Sequence, residues 1–200
     1  MSRFIESIRF CNGKTDNLAL HQERVNVTFA RFFADSMPIH LEKIIAKHPH
    51  SEGGLFKLRI VYDRELRELE YQAYRHPQYE QYVLYEIPKK FAYKYKSTER
   101  ELFDKISSLF PPSVLPLLIQ NGRVTDATFT NLIFNKNGEW YSPAEPLLFG
   151  TRLKNLVNAS KVKLRVIKAD EIESYDSIIP INAINHPGEA GEVSTESLFI

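Results

Sequence analysis

The chain has 200 residues, a formal net charge of +1 at pH 7 and an apolar fraction of 43%. This length suits one large domain or two small ones, and the apolar content excludes a disordered chain. The charges are nearly balanced and form no long run, which argues against bulk electrostatic binding to nucleic acid or to an anionic membrane. The single cysteine, Cys11, excludes a disulfide framework and a metal site built from several cysteines.

The sequence also predicts a cytoplasmic protein. A single cysteine fits a reducing compartment. Residues 1–9 lack a continuous apolar core of signal-peptide length. No segment approaches the roughly 20 apolar residues that a helix needs to span a bilayer. We therefore expect a cytoplasmic location, with neither a membrane nor a nucleic acid as partner.

The first half of the chain predicts an antiparallel sheet with helices. Residues 4–10 are rich in β-formers and precede Asn12-Gly13, a dipeptide typical of tight hairpins. Asn17 is placed to cap the first helix. The elements predicted here are helices over 19–34 and 41–48 and strands over 4–10, 55–62, 68–74 and 81–87. This pattern indicates an α+β unit.

The segment Pro88-Lys89-Lys90 is the best candidate for a domain boundary, because it is short and polar and separates two patterned regions. We therefore expect a smaller α+β domain over 1–88 and a larger β-rich domain over 91–200. The elements predicted in the second half are helices over 98–109 and 153–159 and strands over 91–96, 115–120, 128–135, 139–142, 163–168 and 177–184. The tail after Asn185 is expected to fray.

Three short segments carry residues whose order suits a pyridoxal phosphate enzyme. Lys96 offers an amine, Asp126 offers a carboxylate after the Asn121-Gly122 hairpin signal, and Gly150-Thr151 forms a turn before a helix. Such an enzyme needs a lysine for a Schiff base, a carboxylate for the pyridinium nitrogen and backbone N–H groups for the phosphate. Each segment alone is weak evidence. The order of the three segments along the chain is what supports the hypothesis.

The sequence around these residues resembles the class IV aminotransferase family, the fold-type IV pyridoxal phosphate enzymes, and most closely its aminodeoxychorismate lyase branch. The segments that carry the resemblance are Glu6-Ser7-Ile8-Arg9, His21-x-x-Arg24-Val25, Lys96-x-x-Glu99-Arg100, Val124-Thr125-Asp126 through Asn131, and Pro143 through Arg152. The resemblance implies an α+β, two-domain class IV aminotransferase-like fold. It has a smaller N-terminal sheet-and-helix domain and a larger β-rich C-terminal domain.

The resemblance implies that Lys96 is the catalytic Schiff-base lysine. On composition alone an exposed surface lysine is the more common interpretation, and Lys94 is a rival two residues earlier. Lys96 is favoured because Arg100 follows it at the family's spacing. The chemistry needs a neutral amine, which a desolvated site near other cations would favour.

The resemblance assigns the remaining cofactor contacts residue by residue. Asp126 would pair with the ring nitrogen, although a turn aspartate is the plainer alternative. Arg24 would bind the phosphate, unless it is an exposed helical arginine paired with a nearby carboxylate. Gly150 and Thr151 would bind the phosphate at a helix N-terminus, where Thr is also an ordinary cap. Asn182 would lie in a further loop near the phosphate or the substrate.

The function that the resemblance implies is a lyase of folate synthesis. It would convert 4-amino-4-deoxychorismate, a small-molecule amine, to 4-aminobenzoate and pyruvate, as a homodimer with pyridoxal 5'-phosphate between the domains. An aminotransferase acting on branched-chain or D-amino acids would use the same cofactor residues and is the first alternative. A non-catalytic relative that binds a ligand is the second alternative.

Overall fold

The structure, a computed structural model, describes residues 2–199. Over these residues the α-helices are α1 (Leu18–Phe32), α2 (Leu41–Lys47), α3 (Glu101–Ser108) and α4 (Thr151–Asn158). The strands are β1 (Phe4–Cys11), β2 (Lys14–Thr15), β3 (Leu55–Tyr62), β4 (Leu66–Ala73), β5 (Gln81–Glu86), β6 (Val114–Gln120), β7 (Arg123–Ala127), β8 (Asn131–Lys136), β9 (Glu139–Pro143), β10 (Lys163–Arg165), β11 (Ser177–Ile181) and β12 (Val193–Ser194). None of the helices in residues 2–199 is long and apolar enough to cross a membrane.

The chain forms two compact units. The first runs to Arg75 and takes in Tyr95–Glu99 as well, and the second comprises His76–Lys94 and the chain from Arg100 onward. These units differ from the predicted ranges 1–88 and 91–200. The difference arises because β5 pairs in parallel with β6, a strand of the second half. The predicted boundary rested on local composition, which cannot reveal such a distant pairing.

The first unit contains an antiparallel sheet with the strand order β2-β1-β3-β4. Asn12 and Gly13 have φ values of 48° and 78°, as the predicted hairpin turn requires. Strand β1 pairs with β3 along its whole length, from Phe4 opposite Tyr62 to Cys11 opposite Leu55. Alternate side chains of β1 therefore point to one face, where the largest apolar ones are fully buried against the helices.

Helix α1 covers this face of the sheet. Its buried residues are His21, Val25, Thr28 and Phe29, which share one side of a helix. Asn17 occupies the predicted N-cap position, but its side chain makes no capping hydrogen bond. Asn17 instead has a left-handed backbone with φ 52°, a conformation that asparagine tolerates better than most residues.

The segment that carries Lys96 is not the strand predicted over 91–96. It lies beside β1, where the N–H of Ile5 donates to the carbonyl of Lys96 at 2.8 Å. The N–H of Thr98 donates to the carbonyl of Arg3 at 2.9 Å. The ring of Tyr95 packs edge-on against Phe32, with 4.8 Å between the ring centroids. These contacts attach Lys96 to the end of β1 that precedes Glu6.

The second unit contains two sheets, with the strand orders β5-β6-β7 and β10-β9-β8-β11-β12. The predicted hairpins at Asn121-Gly122 and Asn137-Gly138 are confirmed, since all four residues have positive φ. Contrary to expectation, the tail after Asn185 is hydrogen-bonded to the rest of its unit as far as Phe199. Strand β12 pairs with β11, and the N–H of Phe199 donates to the carbonyl of Tyr82 at 2.7 Å.

Candidate active site

The candidate residues form one group in each unit. The group in the first unit consists of Arg24 and Lys96, together with Glu6 and His21, which the sequence analysis did not assign to the cofactor. The group in the second unit consists of Asp126, Gly150, Thr151 and Asn182, together with Asn131.

Glu6 is a fully buried carboxylate at the centre of the first group. Arg24 binds this carboxylate in a bidentate ion pair, with Nε 2.9 Å from Oε1 and Nη2 2.6 Å from Oε2. His21 binds the same carboxylate through Nδ1, which lies 2.5 Å from Oε2. Because His21 and Arg24 are three residues apart on α1, one face of the helix presents both groups to β1.

The charges of this group follow from its burial and its partners. Burial raises the pKa of Glu6, but the charge of Arg24 and the hydrogen bonds from His21 and Arg24 outweigh this and lower it to about 2. Burial lowers the pKa of His21, and the nearby charges of Arg24 and Lys96 lower it further against the opposing effect of Glu6. Glu6 is therefore ionised and His21 neutral at neutral pH. Since an ionised carboxylate only accepts hydrogen bonds, Nδ1 of His21 carries the proton.

Arg24 is not the exposed helical arginine of the plainer alternative. Its side chain is 15% exposed, and its partner is Glu6 on the sheet. The sequence carried a signal for this pair that we missed. Glu6 shares the inward face of β1 with Phe4, Ile8 and Phe10, and a charged residue on such a face requires a partner. Binding of a phosphate by Arg24 stays a prediction.

Lys96 and Lys94 differ in their surroundings, although they are only two residues apart. Lys94 is exposed and belongs to the second unit, whereas Lys96 is half-buried and belongs to the first. The charge of Lys96 also acts on His21, so its ammonium lies within electrostatic reach of the buried group. Lys96 is therefore the less exposed of the two amines, and its role as the Schiff-base lysine stays a prediction.

Asp126 is 5% exposed and lies in β7, so it is not an exposed turn residue. Its Oδ1 accepts a hydrogen bond from Nδ2 of Asn131 at 2.6 Å, and its Oδ2 accepts one from the N–H of Leu148 at 3.0 Å. Both donors are amides, and together they fix the plane of the carboxylate oxygens. Asp126 is therefore a buried carboxylate held in one orientation.

The Gly150-Thr151 turn begins helix α4. Gly150 is the N-cap residue, and Thr151 is the first residue of the helix and 3% exposed. The N–H of Gly150 donates to Oδ1 of Asn131 at 3.2 Å. A Cβ on Gly150 would lie 2.3 Å from the same oxygen, so the close approach requires glycine here. A helix N-terminus of this kind favours an anion.

Asn182 is placed beside the loop between β7 and β8. Its Oδ1 accepts hydrogen bonds from the N–H groups of Ile184 and Asn185, each at 2.8 Å, and its Nδ2 donates to the carbonyl of Phe129 at 3.4 Å. The side chain thus shapes its own turn and contacts the loop that follows Asp126. A direct contact with a phosphate or a substrate stays a prediction.

Arg100 holds the same loop from another side. Its Nη2 donates to the carbonyl of Thr128 at 2.8 Å, and its guanidinium lies over the ring of Phe129 at 4.7 Å. The sequence matched Arg100 to a family motif but gave no role to it. Its contacts indicate that it stabilises the loop between Asp126 and Asn131.

The residues present fit pyridoxal phosphate. An oriented, buried carboxylate can stabilise a protonated ring nitrogen, and a half-buried lysine can bond to an aldehyde. An arginine and a helix N-terminus that tolerates no side chain at its cap suit a phosphate. Within each unit, therefore, the described residues offer chemistry that suits part of that cofactor.

No protein-family model matches the sequence. An uncharacterized protein of Haemophilus influenzae is 29% identical to this chain over 187 residues, which are 92% of this chain and 99% of that protein. The structure of a candidate 4-amino-4-deoxychorismate lyase from Haemophilus somnus is 28% identical, with a TM-score of 0.80, and the match covers 92% of this chain and 97% of that one.

Two further structures show the same fold at lower identity. A candidate amino-acid aminotransferase from Mesorhizobium loti is 15% identical, with a TM-score of 0.80, over 97% of this chain and 99% of that one. The pyridoxal phosphate-bound form of a hypothetical aminotransferase from Mycobacterium tuberculosis is 12% identical, with a TM-score of 0.76, over 96% of this chain and 80% of that one.

The fold, the donor set and these similarities agree on one class of protein. The chain has the class IV aminotransferase-like fold of these structures and is similar in sequence to a candidate 4-amino-4-deoxychorismate lyase. The resemblance and the α+β fold that the sequence predicted are thereby confirmed.

Proposed function

We propose that this enzyme uses pyridoxal 5'-phosphate to cleave 4-amino-4-deoxychorismate into 4-aminobenzoate and pyruvate. The observation that carries the proposal is the match, at 28% identity over 92% of the chain, to the candidate lyase from Haemophilus somnus. The fold alone would not carry it, because the same fold serves several reactions. The donor set supports it, since each polar part of the cofactor has a residue of suitable chemistry.

Each candidate residue has a distinct role in this proposal. Lys96 would hold the cofactor through its amine and would act as the base that removes the proton from the amine-bearing carbon of the substrate. Asp126 stabilises the protonated ring nitrogen. When bound, pyridoxal phosphate supplies a ring that accepts the electrons left behind by that proton. Loss of the enolpyruvyl group and aromatisation of the six-membered ring complete the reaction, with no net oxidation or reduction.

The phosphate and the loops have supporting roles. Arg24, Gly150 and Thr151 bind the phosphate, and Asn182 holds the turn beside the Phe129 loop. Arg24 is already oriented by Glu6, so little side-chain entropy is lost when an anion binds it. The proposal also includes a homodimer in the cytoplasm. Sedimentation velocity of the cofactor-loaded protein checks the oligomeric state, and a monomer would contradict that part.

An aminotransferase for branched-chain or D-amino acids is the second candidate. It is supported by the likeness in fold to the candidate amino-acid aminotransferase from Mesorhizobium loti. The two reactions differ in one requirement, because a transaminase needs a keto acid that accepts the amino group and a lyase does not. They are therefore separable by the composition of the assay.

The test incubates the cofactor-loaded enzyme with 4-amino-4-deoxychorismate in the absence of any keto acid. We expect 4-aminobenzoate and pyruvate in equal amounts, with loss of both in Lys96→Ala and retention in Lys94→Ala. Product formed only from ordinary amino acids plus a keto acid would replace the lyase with a transaminase. A protein that neither takes up the cofactor nor forms product would favour a non-catalytic ligand-binding relative.

A further inference from the structure

Asn131 is the first residue of β8 and is 7% exposed, yet all of its side-chain polar atoms are used. Nδ2 donates to Oδ1 of Asp126 at 2.6 Å and to the carbonyl of Leu148 at 2.8 Å. Oδ1 accepts from the N–H of Gly150 at 3.2 Å. The amide orientation is fixed by this set, because Nδ2 faces two acceptors and Oδ1 faces a donor.

Leu148 closes a ring of hydrogen bonds around this amide. Its N–H donates to Oδ2 of Asp126 at 3.0 Å, while its carbonyl accepts from Nδ2 of Asn131. Both carboxylate oxygens of Asp126 therefore accept hydrogen bonds from groups that are also hydrogen-bonded to each other. A rotation of the carboxylate would break bonds at Asn131 and Leu148 together, which restricts its orientation more than separate bonds would.

The other end of the same amide touches the start of helix α4. Gly150 approaches Asn131 so closely that a Cβ would lie 2.3 Å from Oδ1. One side chain thus joins β7, β8 and the turn before Thr151. A displacement of Asn131 would move the orientation of Asp126 and the position of the Gly150-Thr151 turn at the same time.

We propose that Asn131 is a positioning residue that couples the ring-nitrogen carboxylate Asp126 to the phosphate-binding turn Gly150-Thr151. This inference rests on the proposed cofactor roles of Asp126 and Thr151. Asn131 itself touches neither the ring nor the phosphate in this proposal. It acts by holding the two contact points at a fixed separation, so that the cofactor meets both without reorganisation.

Two variants separate the two ends of the amide. Asn131→Ser removes the contacts to Asp126, Leu148 and Gly150. Asn131→Asp keeps the shape and the acceptor for Gly150 but replaces the donor to Asp126 by a carboxylate oxygen. Asn135→Ser is the matched control, because Asn135 also lies in β8 and its Oδ1 also accepts from a glycine N–H, that of Gly138 at 3.1 Å.

The experiment measures the affinity of each variant for pyridoxal 5'-phosphate and for pyridoxal, which lacks the phosphate. Thr151→Ala should weaken only the phosphate form, and Asp126→Ala should weaken both forms equally. We expect Asn131→Ser to weaken both forms by about tenfold, because a displaced Asp126 and a displaced turn would make poorer contacts to the cofactor. We also expect Asn131→Ser to bind pyridoxal 5'-phosphate with a smaller preference over pyridoxal. Asn135→Ser should change neither the two affinities nor this preference.

The absorption spectrum of the bound cofactor against pH provides a second readout that loss of stability would not change. Asn131→Ser and Asn131→Asp should both shift the pH profile, because both alter the donor on Asp126. Only Asn131→Ser should also reduce the phosphate preference, since Asn131→Asp keeps the contact to Gly150. Asn135→Ser should keep the wild-type profile.

The outcomes distinguish this inference from the proposed function. A wild type that binds the cofactor but forms no 4-aminobenzoate would contradict the proposed lyase activity. The binding measurements on the Asn131 variants would still test the coupling in that case. A normal pH profile and a normal phosphate preference in Asn131→Ser would overturn the coupling alone. A wild type that does not bind pyridoxal 5'-phosphate would overturn both.

Discussion

Glu6 in the first unit and Asp126 in the second are both buried carboxylates, but they are held in different ways. Glu6 is bound by a guanidinium and an imidazole at 2.5 to 2.9 Å. The hydrogen bonds described for Asp126 come from the amide groups of Asn131 and Leu148. A cation that binds Glu6 offsets its negative charge, whereas the amide donors of Asn131 and Leu148 orient the oxygens of Asp126 without adding a positive charge.

The difference between these carboxylates matches the roles that we propose for them. Glu6 fixes the side chains of Arg24 and His21. Its negative charge therefore stabilises the first unit and orients the guanidinium of Arg24. The Asp126 carboxylate is held in a fixed direction, as stabilisation of a protonated ring nitrogen requires. The following predictions test this comparison, beginning with the largest expected effect.

Replacement of Glu6 should destabilise the protein strongly. In Glu6→Ala the buried groups of His21 and Arg24 lose their carboxylate, and removal of one partner of a buried pair costs about 3–5 kcal/mol. Glu6→Gln keeps the volume and should cost less.

The exposed Glu23 on α1 is the control, and Glu23→Ala should change the free energy of unfolding by no more than about 0.5 kcal/mol. Urea unfolding measures all three, and equal effects of Glu6→Ala and Glu23→Ala would contradict the buried pair.

Acid should destabilise the first unit in two steps. The pKa of His21 is lowered below 6.5 in the folded state, so the unfolded chain takes up this proton first and stability falls as the pH drops below 6.5. The pKa of Glu6 falls from 4.5 to about 2 on folding, so its contribution is present above pH 4.5 and lost towards pH 2.

A variant of His21 separates these two steps. The side chain of His21→Gln cannot titrate, so the loss of stability just below pH 6.5 should disappear while the later loss remains. Unfolding by urea at a series of pH values measures both slopes. A wild-type stability that stays constant from pH 7 to pH 4 would contradict the neutral, buried state of His21.

Replacement of Gly150 should have a smaller effect that is specific to the second unit. In Gly150→Ala the new methyl group would meet Oδ1 of Asn131 at 2.3 Å, and Asn131 cannot yield without losing its bonds to Asp126 and Leu148. We expect a loss of about 1–3 kcal/mol in stability, together with weaker cofactor binding.

The control is Gly53→Ala, where the nearest atom to the added Cβ is 3.6 Å away and φ is ordinary. Thermal unfolding of both variants checks the prediction, which equal melting temperatures would refute.

Local features of the fold could be predicted from the sequence. The Asn-Gly turns at Asn12, Asn121 and Asn137 were found because the left-handed backbone they need is encoded by two adjacent residues. The candidate lysine, carboxylate and phosphate turn were found for a similar reason, since each lies in a short segment of fixed order. Their chemical roles came from the family resemblance and stay proposals.

The features that the sequence did not reveal depend on distant partners. Lys96 lies beside β1 through a hydrogen bond to Ile5, and β5 pairs with β6 across an intervening helix. Asn131 was visible as part of a motif, but its link between Asp126 and Gly150 depends on tertiary contacts. Glu6 could have been found, because a carboxylate on an apolar strand face predicts a buried cation even when its position is unknown.

The most direct test of the central claim is the location of the cofactor on the chain. The purified protein is incubated with pyridoxal 5'-phosphate, treated with borohydride to fix the linkage, digested and analysed by mass spectrometry, with Lys94→Ala and Lys96→Ala in parallel. We predict modification of Lys96 in the wild type and in Lys94→Ala, and no modification in Lys96→Ala. Modification of Lys94, or of neither lysine in a wild type with a yellow absorption band, would contradict the account.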